Sequence, residues 1–153
     1  MNIRRYKIGE EEEIWKLHHD TTREIIGKDY TRAQVEKWAP DQMEPDWIER
    51  VRQRNPFIAE HDGKIVGFAE LEANGHIDRF YCHHQWQRKG IGKLLYRAIE
   101  EDASRMKLAL LFAEVILTAR EFFLSRGFEI VKEENNLICG AKAIRFQMQK
   151  QLK

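Results

Sequence analysis

The segment Gln87-Arg88-Lys89-Gly90-Ile91-Gly92 lies between a predicted strand and a predicted helix. Its glycines allow the backbone to approach a ligand closely, and the helix behind them offers unpaired N–H groups and the positive end of its dipole. Arg88, Lys89 and Lys93 add positive charge. These features predict an anion site suited to a pyrophosphate. The structural alternative is a glycine-rich helix start that binds no ligand.

Two better-known phosphate-binding motifs do not fit this segment. A dinucleotide-binding fingerprint requires glycine at position 95, where the chain has Leu95. A Walker A loop requires glycine at position 87, where the chain has Gln87. The segment is therefore interpreted as neither motif.

Three strands are predicted before the segment, at Pro56–His61, Lys64–Glu72 and His76–Cys82. Asp62-Gly63 and Asn74-Gly75 separate them, and both dipeptides favour the positive φ angles of tight hairpin turns. This part of the chain is therefore predicted to be an antiparallel meander.

Upstream of the meander, a strand is predicted at Met1–Ile8 and a helix at Glu10–Ile26. Two short helices follow, one capped by Thr31 and ending near Trp38, the other capped by Asp46.

Downstream of the segment, apolar residues at helical spacing predict a helix over Gly90–Ser104. The apolar run Leu108–Val115 predicts a buried strand, parallel to the strand before the helix because a right-handed crossover joins them. Thr118 and Glu121 form a capping-box pattern for a helix that stops at Gly127. Two closing strands are predicted at Phe128–Glu134 and Lys142–Met148, with Asn135-Asn136 and Cys139-Gly140 in their connection.

The composition indicates one globular domain spanning residues 1–153. The 26 basic and 25 acidic residues give a net charge of +1, so no nucleic-acid partner is predicted. No apolar run approaches the ~20 residues that span a bilayer, and no signal peptide is recognised. Cys82 and Cys139 form neither a disulfide framework nor a zinc site, and the histidine pairs lack metal-ligand spacing. We therefore expect a cytoplasmic protein without a metal or a membrane partner.

The segment Gln87–Gly92, placed after Ile77–Cys82, resembles the Arg/Gln-x-x-Gly-x-Gly/Ala motif of the GNAT superfamily of N-acetyltransferases. Ala119–Phe128 is similar to the family's Ala-x-x-Phe-Tyr-x-x-x-Gly-Phe stretch, and Gly63–Phe68 is similar to its third strand. The resemblance is strong over residues 56 to 148. It implies an α/β (α+β) GNAT fold, with a mixed, mostly antiparallel sheet, helices on both faces and a splay between strands 4 and 5.

The resemblance also implies an acetyl-CoA-dependent N-acetyltransferase. The acetyl group would pass to a primary amine by direct attack in a ternary complex. The backbone of the fourth strand is implied to bind the pantetheine arm, and the glycine loop is implied to hold the pyrophosphate. The cofactor-binding residues implied in this way are Phe80, Tyr81, Cys82, Gln87, Arg88, Lys89, Gly90, Ile91, Gly92, Lys93 and Phe123.

Two positions depart from the family pattern. Phe123 stands where the family often has a tyrosine that protonates the departing thiolate, and Ile116 stands where it often has an asparagine. The alternative functions are therefore a non-catalytic acyl-CoA-binding sensor module and a structural protein that uses the fold as a scaffold. A longer acyl donor also stays open.

The proposed reaction needs a base, because an amine is mostly protonated at neutral pH. Strand alternation predicts that His76, Asp78, Phe80 and Cys82 share one face, and His76 and Asp78 are the candidate catalytic residues. His76 falls where some family members place a catalytic glutamate. The alternative readings are an exposed histidine beside a turn and an aspartate in a structural ion pair.

Three neighbours of these candidates are assigned structural roles. Glu70 and Glu72 are predicted to lie on a solvated face, and Cys82 is predicted to be a buried small hydrophobe.

The acceptor is implied to bind beside the N-terminal helices. That region contributes His18, His19, Tyr30, Trp38 and Trp47, whose alternative role is core packing. The predicted partners are acetyl-CoA and a small-molecule or peptide amine. Homodimerisation is left open.

Overall fold

The computed structural model describes residues 1–28, 30–138 and 141–152, which form two antiparallel sheets and five α-helices. The first sheet has the strand order β1 (Asn2–Arg5), β2 (Phe57–His61), β3 (Lys64–Leu71), β4 (Ile77–Cys82). The second sheet has the order β5 (Leu110–Ile116), β7 (Ala141–Gln151), β6 (Glu129–Ile138). The helices are α1 (Glu11–Ile26), α2 (Arg32–Trp38), α3 (Trp47–Arg54), α4 (Ile91–Arg105) and α5 (Arg120–Ser125). The predicted mixture of antiparallel strands and helices is confirmed.

Strands β4 and β5 touch at one end and then separate. A parallel bridge pairs His76 with Phe112, and the Phe112 N–H donates to the Gly75 carbonyl at 3.0 Å. Only glycine fits at position 75, because its φ is +96° and a Cβ there would lie on the carbonyl oxygen of Leu110. Beyond this point β4 pairs only with β3, and β5 pairs only with β7. The edges of β4 and β5 that face each other are therefore free of strand pairing. The predicted parallel direction and the splay are therefore both present.

Two apolar clusters lie on opposite faces of the first sheet. The larger cluster packs α4 and α5 against both sheets and includes Leu95, Ile99 and Leu111. The smaller cluster packs α1 and α3 against the first sheet through Ile14 and the fully buried Trp47. Helices therefore cover both faces, as predicted. No helix in the described part of the chain is long and apolar enough to cross a bilayer.

The predicted helix starts have mixed outcomes. Thr31 caps α2 with a capping box, because its hydroxyl accepts from the Gln34 N–H and the Gln34 side chain accepts from the Thr31 N–H. Asp46 occupies the N-cap of α3 but makes no capping hydrogen bond. The predicted capping box of Thr118 is wrong, because Thr118 lies within a 3-10 turn and α5 begins only at Arg120.

Several strand ends differ from the prediction. Strand β1 stops at Arg5, and Ile8 is exposed. Strand β5 is buried on one face rather than on both, because its side chains alternate between core and surface. Strand β6 runs through Asn135-Asn136, which pair with Ile144 and Ala143, so the predicted connection there is wrong. Cys139-Gly140 lies outside the described residues.

Candidate active site

A cavity of about 840 Å³ occupies the splay between β4 and β5. Its walls are formed by these two strands, one face of α1, the loop before α4, and α5. A volume of this size falls within the range of small-molecule and cofactor sites.

The loop before α4 brings backbone N–H groups to this cavity. Gly90 is the N-cap of α4 with φ +83°, and Arg88 also has a positive φ, +60°. A non-glycine residue in this conformation is strained, and such strain concentrates at functional sites. The first turn of α4 offers N–H groups without intrahelical partners. Gly92 lets α5 approach, since a Cβ there would lie 3.1 Å from the Phe122 ring.

Most of the predicted cofactor-binding residues line the cavity. These are Phe80, Tyr81, Cys82, Gln87, Arg88, Gly90, Ile91, Gly92, Lys93 and Phe123. Lys89 does not, and its ammonium group lies 5.8 Å from the centre of the Trp86 ring. The Gln87 amide donates to the Cys82 carbonyl at 2.8 Å, so its side chain closes the loop between β4 and α4.

The face assignment predicted for β4 is wrong. Two residues of β4, Asp78 and Arg79, stand opposite the single residue Glu70 of β3, which makes a β-bulge. The extra residue breaks the alternation, so Ile77 shares the apolar face with Phe80 and Cys82. Asp78 lines the same cavity, but its carboxylate meets the arginines of α3.

The apolar side of the cavity is aromatic. Phe123 is buried and packs 5.7 Å from Phe80 and 5.1 Å from Phe128 between ring centres. Burial raises the pKa of Cys82 to about 11, so Cys82 stays a thiol at neutral pH. The geometry agrees with its predicted role as a small hydrophobe rather than a nucleophile.

His76 is held between two carboxylates. Its Nδ1 lies 2.7 Å from Glu72 Oε1 and its Nε2 lies 2.6 Å from Glu114 Oε2. Burial lowers the pKa of His76, but hydrogen bonds to Glu72 and Glu114 raise it by more, so the net shift is upward. An imidazolium that donates from both nitrogens has no lone pair for an amine proton. His76 therefore acts here as a clamp between the β3–β4 turn and β5, and it does not line the cavity.

The clamp should make stability depend on pH. Because the folded pKa lies above the ordinary value, the stabilisation is complete below about pH 6.5 and disappears as the pH rises through the folded pKa. The His76→Gln variant should therefore be less stable than wild type at pH 6, and the deficit should shrink by pH 9. Thermal unfolding at both pH values measures this, with His61→Gln as a control at an exposed ion pair. A deficit that does not change with pH would contradict the clamp.

Asp78 lines the cavity and is fixed by arginines of α3. Its Oδ2 lies 2.9 Å from Arg54 Nη1 and 3.9 Å from Arg50 Nη2, whereas Oδ1 makes no such contact among the described residues. Glu72, His76 and Asp78 place ligand-type atoms within 4.8 Å of one another. The same Arg54 Nη1 also lies 2.9 Å from Glu72, so a fixed cation already neutralises this group of carboxylates.

Glu70 is fully buried, so the prediction of a solvated position is wrong. Burial raises the pKa of Glu70 to about 7, against the opposing effect of Arg79, whose Nη1 lies 3.9 Å away. Neither Glu70 oxygen forms a hydrogen bond with any described residue. Every residue from Ile65 to Glu70 is buried, because β3 is a central strand with helices on both faces, so β3 has no solvated face at this position.

This burial should destabilise the protein at high pH. The unfolded carboxyl loses its proton near pH 4.5 and the folded one near pH 7, so stability is lost as the pH rises across that interval. The Glu70→Gln variant should gain about 1–3 kcal/mol relative to wild type between pH 5 and pH 8. Urea unfolding at both pH values checks this, with Glu133→Gln as an exposed control. Equal differences at the two pH values would refute it.

A second cavity of about 130 Å³ lies between α1, α2 and β4. It is lined by three of the residues that the resemblance implied to lie near the acceptor, His18, His19 and Trp38. Trp15 and Tyr81 also line it. Trp47 does not, because it is fully buried and its indole N–H donates to the Glu11 carbonyl. Tyr30 packs edge-on against Trp38 at 5.3 Å between ring centres but is not part of the lining.

Comparisons with known proteins agree on one family. Residues 26–151 match the family model described as an acetyltransferase (GNAT) domain. The uncharacterized N-acetyltransferase YafP of Escherichia coli (strain K12) is 22% identical over 148 residues, which cover 97% of this chain and 94% of that protein.

Two solved structures extend the comparison to the fold. A GCN5-related N-acetyltransferase from Rhodopseudomonas palustris has a TM-score of 0.86 at 26% identity, covering 99% of this chain and 95% of its own. The PaiA N-acetyltransferase of Thermoplasma acidophilum, solved with coenzyme A, has a TM-score of 0.75 at 19% identity. The match covers 99% of this chain and 98% of that one. The chain therefore belongs to the GNAT acetyltransferase family, and it is an acetyl-CoA-dependent acyltransferase.

Proposed function

We propose that this enzyme transfers an acetyl group from acetyl-CoA to a primary amine by direct attack within a ternary complex. The observation that carries the proposal is one continuous cavity of about 840 Å³ that joins the free edge of β4 to the N-terminus of α4. A strand edge suits an extended amide-containing arm, and a helix N-terminus suits a pyrophosphate. Acetyl-CoA carries both groups.

The donor would lie along β4. Phe80 to Cys82 would pair with the pantetheine arm, and the backbone of Arg88 to Lys93 would hold the pyrophosphate. Free N–H groups of β4 would then stabilise the oxyanion that forms when the amine attacks the thioester. Holding both substrates next to each other would supply much of the rate enhancement.

We propose Asp78 as the proton acceptor, because it is the predicted base that lines the cavity. Arg54 and Arg50 fix one of its oxygens, which leaves the other free to take the amine proton. His76 is assigned a positioning role instead, since both of its nitrogens are occupied.

The leaving thiolate has no tyrosine at position 123 to protonate it. A free thiol has a pKa of about 8.5, so departure as a thiolate followed by protonation from water is chemically reasonable. The burial of Phe123 between Phe80 and Phe128 makes it part of the cavity wall.

The proposed function is tested by coupling calorimetric titration of acetyl-CoA with an assay of thiol release over a panel of primary amines. Binding of acetyl-CoA with amine-dependent thiol release is expected. Binding without release from any amine would favour the acyl-CoA sensor, and absence of binding in folded protein would favour the scaffold.

A further inference from the structure

Tyr81 lines both the small cavity and the large one. We propose that it binds the acceptor as a primary amine on a small, uncharged, aromatic body, of the type of 2-phenylethylamine, and that it selects against amino acids. This inference rests on the proposed function, because it names the acceptor class for the same reaction.

The walls of the small cavity are mainly aromatic. Trp15, His18, Trp38 and Tyr81 contribute rings, and His18 meets Tyr81 edge-on at 4.6 Å between ring centres. Rings of this kind pack well against another ring, so the small cavity would hold the ring of the substrate while the amine nitrogen reaches towards Asp78 in the large cavity. The volume of about 130 Å³ is close to the ~150 Å³ of a cavity that holds benzene. The size therefore suits a single ring.

The charge around the small cavity is negative. Glu44 lines it, and none of its described lining residues is a lysine or an arginine. Burial, followed by the charge of Arg79, lowers the pKa of His18 to about 4, so His18 is neutral at pH 7. The negative charge of Glu44 favours the approach of a cationic amine, whereas a carboxylate entering the small cavity would lose its hydration without gaining a cation from the lining.

Two arginines outside the lining are engaged with other groups. Arg79, whose charge acts on His18, has its Nη1 3.9 Å from Glu70 and its guanidinium carbon 4.4 Å from the centre of the Trp47 ring. Arg23 Nε donates to the Ala39 carbonyl at 2.8 Å, and Arg23 Nη2 lies 3.5 Å from Asp41. The ring nitrogens of His19 face Asp20 at 3.2 Å and Asp41 at 3.0 Å. The lining itself thus offers no lysine or arginine to an amino-acid carboxylate.

Tyr81 places the acceptor next to the donor, because it belongs to the part of β4 proposed to bind pantetheine. The amine nitrogen, deprotonated by Asp78, would form the C–N bond with the thioester carbonyl carbon. The C–S bond would break with its electron pair on sulfur, and protonated CoA and the N-acetyl amine would be released.

The test uses two ligands that differ by one carboxylate. 2-Phenylethylamine and L-phenylalanine are titrated separately into full-length protein saturated with CoA, and both are assayed with acetyl-CoA. The amine should bind at least about 30-fold more tightly, because the buried carboxylate stays unpaired.

Three variants locate the site. Glu44→Gln should weaken binding of the amine up to about 5-fold by removing one partly exposed charge. Trp38→Ala should weaken it about 10-fold by removing a ring face. Glu49→Gln, an exposed change of the same charge on α3, should behave as wild type. In all three the affinity for acetyl-CoA should be unchanged.

The outcomes separate the two proposals. A wild-type protein that does not bind acetyl-CoA overturns the proposed function, and the acceptor class with it. A protein that binds acetyl-CoA but takes up L-phenylalanine as tightly as the amine overturns the acceptor class alone. An affinity for 2-phenylethylamine that is unchanged in both Glu44→Gln and Trp38→Ala also overturns it.

Discussion

The Gly90→Glu variant is expected to lose about 100-fold or more of the affinity for acetyl-CoA. The new carboxylate would stand at the N-terminus of α4, where the pyrophosphate is proposed to bind, and unfavourable pairing of like charges costs several kcal/mol. A Cβ at position 90 meets no atom within 4 Å, so the cost of the side chain to the fold is limited to the backbone strain of a φ of +83°. Calorimetric titration of acetyl-CoA measures the loss.

Gly63→Glu is a matched control for this variant. Gly63 also has a positive φ, +77°, and open space around its Cβ position, but it lies in the β2–β3 turn away from the cavity. Both variants carry the same backbone strain, so equal melting temperatures would show that the strain is matched. If both variants kept the affinity of the wild type, the pyrophosphate would have to bind elsewhere.

The Asp78→Asn variant is expected to lower kcat by about 100-fold to 10,000-fold, the usual range for removing a general base. Its affinity for acetyl-CoA should be unchanged, because Asp78 is proposed to act on the amine. Thiol release measured from pH 6 to pH 10 should also show partial recovery at high pH, where more of the amine is already deprotonated.

Asp102→Asn controls for the loss of a paired carboxylate. Asp102 also contacts two arginines, Arg5 and Arg105, but it lies on α4 outside the cavity. It should retain wild-type kcat. A loss of the same size in both variants, or none in Asp78→Asn, would remove Asp78 from the mechanism.

Local sequence patterns were sufficient to predict most of the elements. Asp62-Gly63 and Asn74-Gly75 dictate tight turns through backbone conformations that they adopt readily, so the meander follows from short-range chemistry. The pairing of Gly90 with a helix start also depends on local geometry alone. For this reason the glycine loop was found from the sequence and lines the cavity in the structure.

The face of β4 was not predictable in the same way. The bulge at Asp78 and Arg79 depends on how β3 pairs with β4, and no residue type in the sequence marks it. Asp78 in the bulge meets the arginines of α3, and Glu70 is buried because helices cover both faces of β3. The clamp on His76 likewise joins residues 38 positions apart, Nε2 of His76 and Oε2 of Glu114, which only the tertiary fold brings together.

The single joint between β4 and β5 has a mechanical consequence. The strands meet at Gly75 and His76, and the six residues from there to Cys82 reach about 20 Å along β4. A rotation of β4 by about 5° relative to β5 about this joint would therefore move the far end of β4 by about 1.7 Å. Because β4 is paired with β3 along its length, such a rotation would carry the first sheet with it and would widen or narrow the opening between β4 and β5.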